Sequence, residues 1–214
     1  MTELAKGAAM VTLKLYTDFI CPFCYIAESS TLPRLEKEYG VVVEWRGFEL
    51  HPDTPVGGMP LSVLFAGRDV GQMHAYVMQF AKTFGVELPR PPAHLPNTRA
   101  ALAAAEFARD HGKLDAFRRA AQRAYWLDGK DLESAETLRA VAKAAGLDPA
   151  AVLNASKDLT WLRRVDAIRA ESGAQGVTGI PTMIFPGGEA VVGCQPYEAL
   201  AAAARRAGAR PRKG

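Results

Sequence analysis

The sequence predicts an α/β fold interrupted by a large all-helical insertion, and three observations carry that prediction. Two apolar, β-branched runs, at residues 11–17 and 41–45, flank a helical pattern and so make a β-α-β unit with parallel strands. From about residue 60 to residue 173 every periodic stretch has helical spacing. The chain then returns to strands around a Pro186-Gly187-Gly188 turn and closes with a helix. Residues 11–50 and 174–208 are therefore read as two halves of one domain, 60–173 as a helical insertion domain, and 1–10 and 209–214 as flexible termini.

The elements justify themselves in order. Residues 11–17 form a buried strand whose C-terminal end, at Thr17-Asp18-Phe19, is where open α/β sheets place their chemistry. Ile26, Leu32, Leu35 and Tyr39 form a helical stripe with a kink expected at Pro33, and Gly40 stops it. Residues 41–45 make the second strand. Pro52, Pro55, Gly57, Gly58 and Pro60 mark 51–67 as loop. A helix over 70–84 ends at Gly85, and Pro89, Pro91, Pro92 and Pro96 force an extended connector. Asn97 or Thr98 caps the next helix, which runs to His111. Helices at 114–127, 134–145 (Ser134 as N-cap, Gly146 as stop), 149–156 and 159–173 complete the block. Strands within 176–185 and 190–193 and a helix over 196–207 finish the chain.

Bulk properties narrow the class. With 214 residues, 49% apolar and 23% charged, this is an ordinary globular composition. The net charge of +3, from 26 basic and 23 acidic residues, comes largely from Arg205, Arg206, Arg210, Arg212 and Lys213. The folded body carries no basic stripe, so no nucleic-acid partner is expected. No run of about 18 apolar residues suggests a membrane span, and residues 1–10 hold no apolar run of signal-peptide length. A cytoplasmic protein is expected, with Met10 as an alternative start. No pattern specifies an oligomeric state.

The chemistry concentrates at Cys21-Pro22-Phe23-Cys24, between the first strand and the first helix. Two cysteines at this spacing and place read as a redox pair. A helix beginning at Pro22 aims its free N–H groups and positive dipole end at the Cys21 sulfur. That field favours thiolate, making Cys21 the attacking sulfur and Cys24 the resolving thiol. The competing readings are two buried structural cysteines or half a zinc site. Zinc needs about four ligands, yet only Cys194 and the widely spaced His51, His74, His94 and His111 remain; no metal is expected.

Two acids, a histidine and a third thiol are further candidates. Asp18, if ionised close to the pair, would disfavour the Cys21 thiolate; buried and neutral, it could exchange protons with Cys24; it could equally face the surface. Glu49 and His51 either shape the cleft or are ordinary loop residues. Cys194, just after the last strand, is either a third active-site thiol or a small core residue.

Cys-x-x-Cys after the first strand, with Gly179-Ile180-Pro181-Thr182 before the penultimate one, resembles the thioredoxin superfamily. The helical block narrows the resemblance to the DsbA branch. Residues 18–26, 45–52 and 97–100 look like those of its cytoplasmic FrnE-like members, over residues 11 to 207. Gly47 departs from the proline usual in that branch, a change expected to alter only the loop. The resemblance implies a thioredoxin-like fold, a cis Ile180–Pro181 bond facing the cysteines, and an Ile180 backbone offered to an extended thiol substrate. A cis X–Pro bond costs only ~0.5–1 kcal/mol, and proline has no N–H to compete for the sulfur; the plainer reading is a trans proline starting a strand.

The implied function is thiol-disulfide exchange through Cys21 and Cys24 on a thiol or disulfide protein or peptide, with no organic cofactor and with glutathione as an optional co-substrate. Pro22-Phe23 lacks the histidine of strongly oxidising relatives, so a less oxidising potential is expected. The helical insertion is expected to cover the cysteines and form a partly apolar substrate groove. The alternative is a glutathione-dependent isomerase or transferase of the kappa or 2-hydroxychromene-2-carboxylate isomerase type, where serine commonly replaces the first cysteine; a polyketide-pathway isomerase role also attaches to this branch. A third reading is a binding or chaperone module with incidental cysteines. The presence of both cysteines favours redox work.

Overall fold

The computed structural model describes residues 10–89 and 93–212. A four-stranded sheet carries the site. Strand β1 (Thr12–Thr17) lies at its centre, parallel to β2 (Val42–Gly47) in the register Thr12 to Val42 and Thr17 to Gly47. On its other side β1 runs antiparallel to β5 (Thr182–Ile184), which pairs with β6 (Ala190–Val192), giving the order β2-β1-β5-β6. Leu13, Leu15 and Tyr16 of β1 are fully buried, as expected of a strand covered on both faces.

The connection from β1 to β2 is two helices where one kinked helix was expected. Helix α1 (Pro22–Ser29) stops at Ser30, and α2 (Thr31–Tyr39) restarts beyond it. Pro33 is the cause, but it acts at a distance. Its ring would strike the carbonyl four residues earlier, at Ser29, so the helix cannot run through. Restarting at Thr31 places Pro33 in a first turn, where its missing N–H costs nothing. Gly40, at φ 63°, ends α2.

The loop at 51–67 and the proline-rich connector are also not as open as expected. Short strand β3 (Met59–Pro60) pairs antiparallel with β4 (His94–Leu95), and a single turn, α3 (Leu61–Leu64), follows β3. A pairing two residues long, between segments 36 positions apart in the register Met59 to Leu95, has no local periodicity to announce it. Gly58 makes the approach possible: a Cβ there would sit 2.4 Å from both His94 Nε2 and the Leu95 carbonyl oxygen. Pro91 and Pro92 of the connector, residues 1–9 of the N-terminus and residues 213–214 lie outside the described residues.

The helical block comprises α4 (Val70–Thr83), α5 (Arg99–Asp110), α6 (Leu114–Trp126), α7 (Ala135–Ala144), α8 (Pro149–Ala155) and α9 (Leu159–Ala174). Side chains fix several starts. Asp69, Ser134, Asp148 and Asp158 each accept a hydrogen bond from a first-turn N–H. At α5 the N-cap position is Thr98, which makes no side-chain cap, and the preceding Asn97 supplies the acceptor instead, its Oδ1 taking Arg99 N–H at 2.9 Å. Helix α10 (Tyr197–Arg206) closes the chain, after which Ala209 is buried and Arg212 N donates to the Glu38 carbonyl at 2.7 Å.

One apolar cluster joins the sheet to the helices, from Leu15 and Trp45 through Leu102 and Phe117 to Leu138 and Val141. Gly47 belongs to this junction and not to a loop: it ends β2, and a Cβ there would come within 2.8 Å of Leu102 Cδ2. Its departure from proline thus serves packing of α5 on the sheet.

Candidate active site

The end of β1 and the start of α1 build the site. Cys21 is the N-cap of α1 with Pro22 directly after it and makes no side-chain capping hydrogen bond, so it stands at the positive end of the helix dipole. Cys21 N donates to the Asp18 carbonyl at 3.3 Å, and the Cys21 carbonyl accepts from Tyr25 N at 3.1 Å. Both cysteines are free thiols, and their side chains are hydrogen-bonded to each other. Cys21 is 2% exposed and Cys24 is fully enclosed.

From across the sheet, Ile180 and Pro181 complete the site. Their peptide bond is cis, and the Ile180 carbonyl accepts the Cys21 thiol at 3.8 Å. The Pro181 carbonyl accepts from Gly193 N at 2.7 Å, which ties the turn to the end of β6. Phe23 is set edge-on against Phe80 of α4, with ring centres 5.3 Å apart. Trp126 of α6 donates its indole N–H to the Phe19 carbonyl at 2.8 Å and stacks on Tyr25. Both flanks of the dithiol are thus held by the helical block.

Electrostatics divides the two sulfurs. Burial pushes the Cys24 thiol well up, and the hydrogen bond to Cys21 and the charge on Cys21 push it further. The Thr17 hydroxyl and the Asp18 backbone N–H pull the other way. Behind Cys24 lies a buried ion pair: Thr17 Oγ1 donates to Glu28 Oε1 at 2.6 Å, and Arg118 Nη1 of α6 donates to Glu28 Oε2 at 2.8 Å. Burial raises the Glu28 acid, against the pull of Arg118. Glu28 and Arg118 escaped the sequence reading, although a signal existed. Cys21, Cys24 and Glu28, spaced by three and four, share one helical face, so the acid had to lie beside the cysteines.

Asp18 is 1% exposed, which removes the surface-facing reading. Its Oδ2 accepts from Leu50 N at 2.9 Å and from Thr98 Oγ1 at 3.1 Å, while Oδ1 has no hydrogen-bond partner. Burial pushes its acid from 3.8 up to about 7. What Asp18 brings to Cys24 is its backbone N–H; its carboxyl bonds to the β2 exit and the α5 start.

Glu49 is buried and clamped by Arg99 at 2.9 Å, so it serves the framework and does not line the cleft. His51, half-buried and edge-on to Phe65, does line it. Cys194 is 8% exposed, its thiol pushed up to about 12 by burial and by the charge on Cys21. It therefore lies within electrostatic reach of Cys21, in a setting that suppresses its thiolate. Among the described residues no group of three or more His, Cys, Asp or Glu is placed to hold a metal ion, and no helix is long and apolar enough to cross a membrane.

Cys21 opens onto a cavity of about 340 Å³ under the helical block. Ile20, Phe23, Leu61, Phe65, Val77 and Trp126 supply most of its apolar wall, with Ile180 at the Cys21 end and His51, His74 and Tyr125 among its few polar side chains.

A free dithiol at a helix start, on a sheet in the order β2-β1-β5-β6 with helices inserted between its halves, defines a thioredoxin-like protein of the DsbA type. The chain belongs to the DSBA-like thioredoxin domain family, whose model matches residues 12–205. It is 26% identical over 182 residues to the uncharacterized protein YwbO of Bacillus subtilis, covering 82% of this chain and 86% of that one. It is 28% identical over 174 residues to the 2-hydroxychromene-2-carboxylate isomerase of Sphingobium xenophagum, covering 80% and 87%. Among solved structures, a probable DsbA oxidoreductase from Streptomyces coelicolor superposes with a TM-score of 0.84 at 25% identity, over 92% of this chain and 89% of that one.

Proposed function

We propose that this protein is a thiol-disulfide oxidoreductase working through Cys21 and Cys24. The observation that carries the reading is the pair itself: two free thiols in hydrogen-bond contact, one at the helix start and one enclosed behind it. Cys21 thiolate attacks a substrate disulfide, and the first substrate thiolate leaves. Cys24 then gives up its proton and attacks the Cys21 sulfur, releasing the second thiolate and closing the protein disulfide. Cys24, whose thiol burial and the contact with Cys21 push well up, stays protonated until that step. Ile180 and Pro181 face the sulfur where a substrate would lie, and Pro22 and Phe23 set the helix start and its apolar flank. The chemistry calls for no metal or organic cofactor, and glutathione fits the role of recycling thiol in a reducing cytoplasm.

The test is a redox titration in glutathione buffers, with free thiols alkylated and counted by intact mass. A two-electron transition present in the wild type and in Cys194→Ser, and absent in Cys21→Ser, is the expected result. A wild type that closes no disulfide at any buffer ratio overturns the reading.

A second reading has its own support. The apolar cavity beside a sulfur, together with the 28% identity to an isomerase, suits a glutathione-dependent isomerase. Glutathione-stimulated isomerisation of a conjugated aromatic substrate by Cys21→Ser would favour it.

A further inference from the structure

We propose that the disulfide turned over here is a compact apolar one, an aryl or short alkyl disulfide that enters the cavity over Cys21, and not a disulfide carried by a polypeptide. The inference rests on thiol-disulfide exchange at Cys21 and names its substrate class. Its starting point is that the attacking sulfur is recessed, on a residue only 2% exposed. Sulfur must meet sulfur in line, so the substrate's own disulfide has to come inside.

Inside, the surroundings suit a small molecule. The volume of about 340 Å³ falls at the small end of the range of roughly 300–1,000 Å³ that ligand pockets occupy. A protein partner would instead spread over about 800 Å² of open surface. The walls are aliphatic and aromatic, with Phe65, Val77 and Trp126 placed to pack against rings. A polypeptide cystine would bring the N–H and C=O groups of two chain segments against these walls. Each would lose its water and find almost nothing to bond. The Ile180 carbonyl at the Cys21 end of the cavity can take one such N–H once Cys21 is a thiolate, which leaves the remaining groups without partners. An aryl disulfide carries no such groups.

The step balances without a further reactant. Cys21 thiolate forms a bond to one substrate sulfur as the substrate S–S bond breaks, and the departing thiolate takes a proton from water. Cys24 bonds to Cys21 and displaces the second thiolate, which leaves with the Cys24 proton. Two electrons pass from the cysteine pair to the substrate, giving one protein disulfide and two small thiols.

The experiment mixes the reduced full-length protein with 4,4′-dithiodipyridine in one arm and insulin in the other. Closure of the Cys21–Cys24 disulfide is followed by intact mass. Each rate is divided by the rate at which dithiothreitol reduces the same disulfide, which removes differences in leaving-group reactivity. The normalised rate should favour the pyridyl disulfide by on the order of 100-fold. Val77→Trp, which fills the cavity, should cut that rate about tenfold or more; so should diphenylmethane, an unreactive occupant, added to the wild type. Normalised rates within threefold of one another, faster reaction with insulin, or no inhibition by diphenylmethane would each overturn the proposal. The diphenylmethane arm decides the matter even if Val77→Trp does not fold. Closure with insulin alone defeats only the substrate class, whereas a wild type that closes with neither disulfide defeats the exchange chemistry itself.

Discussion

Asp18 and Glu28 are two carboxylic acids buried on either side of the same strand end, and the molecule treats them differently. Glu28 faces a guanidinium: both oxygens are bonded, one to Arg118 and one to Thr17. Asp18 has no cation beside it: neutral donors, chiefly Leu50 N–H and the Thr98 hydroxyl, serve its Oδ2, and the Phe19 backbone N–H also favours the charged form. Burial raises both acids. Burial alone therefore does not fix a charge state; the partner does. At Glu28 the Arg118 guanidinium opposes the rise that burial imposes, whereas Asp18 has no such cation and its acid is pushed up to about 7.

The most direct way to break the contrast is Arg118→Met. It strands Glu28, whose side chain is 1% exposed, with a charge and no counter-ion. Removing one partner of a buried pair costs about 3–5 kcal/mol, read as a lower midpoint in urea at pH 7. The loss should shrink as pH falls, because a lone buried carboxyl escapes the penalty by taking up a proton. An equal loss at pH 5 and pH 7 would mean that Arg118 acts by packing and not by charge.

Asp18→Asn sharpens the other half. With the acid raised from 3.8 to about 7, the folded protein holds a proton over that interval and the unfolded chain does not. Stability is then greatest at low pH and falls as pH rises toward 7. The fall should amount to roughly 2–4 kcal/mol, and Asp18→Asn should flatten it. Urea curves between pH 4 and pH 8 measure the slope; a wild type whose stability rises over that range contradicts the assignment.

Thr98→Val asks for less. It deletes one hydrogen bond to the ionised form of Asp18, so the acid should move further up and the pH-dependent fall, which starts at the same pH, should run on to higher pH. The cost at pH 8, where the carboxylate needs the donor, is about 1–2 kcal/mol, and close to nothing at pH 4.

How legible this was follows from the range of each interaction. The dithiol, the β-α-β unit and the caps at Ser134 and Gly146 depend on residues within a few positions, and their patterns stand in the sequence. Pro33 was visible as a disruption, but its effect fell at Ser30, since the proline ring reaches back four residues. The β3–β4 pairing and the Glu28–Arg118 bond join residues dozens of positions apart, 90 in the second case, and no window of sequence holds both ends. Asp18 could be located beside the cysteines by spacing; the direction of its carboxyl depended on Leu50 and Thr98, which only folding brings near.

Cys194 extends the comparison to a thiol and has the smallest effect expected. Like Asp18 it is buried without a counter-ion, but its ordinary value already lies above neutrality, so burial moves it away from the working range: up to about 12. A thiol held protonated is a poor attacker, and charge on Cys21 adds to the restraint. Cys194→Ala should therefore leave the Cys21–Cys24 equilibrium with glutathione within threefold of wild type, a shift of under about 15 mV for a two-electron couple. A larger shift, or a mass showing Cys194 joined to Cys21, would make it a working third thiol. The side chain's surroundings argue otherwise: Cys194 lines a different groove, beside Ser30, Thr31 and Phe80, and not the cavity onto which Cys21 opens.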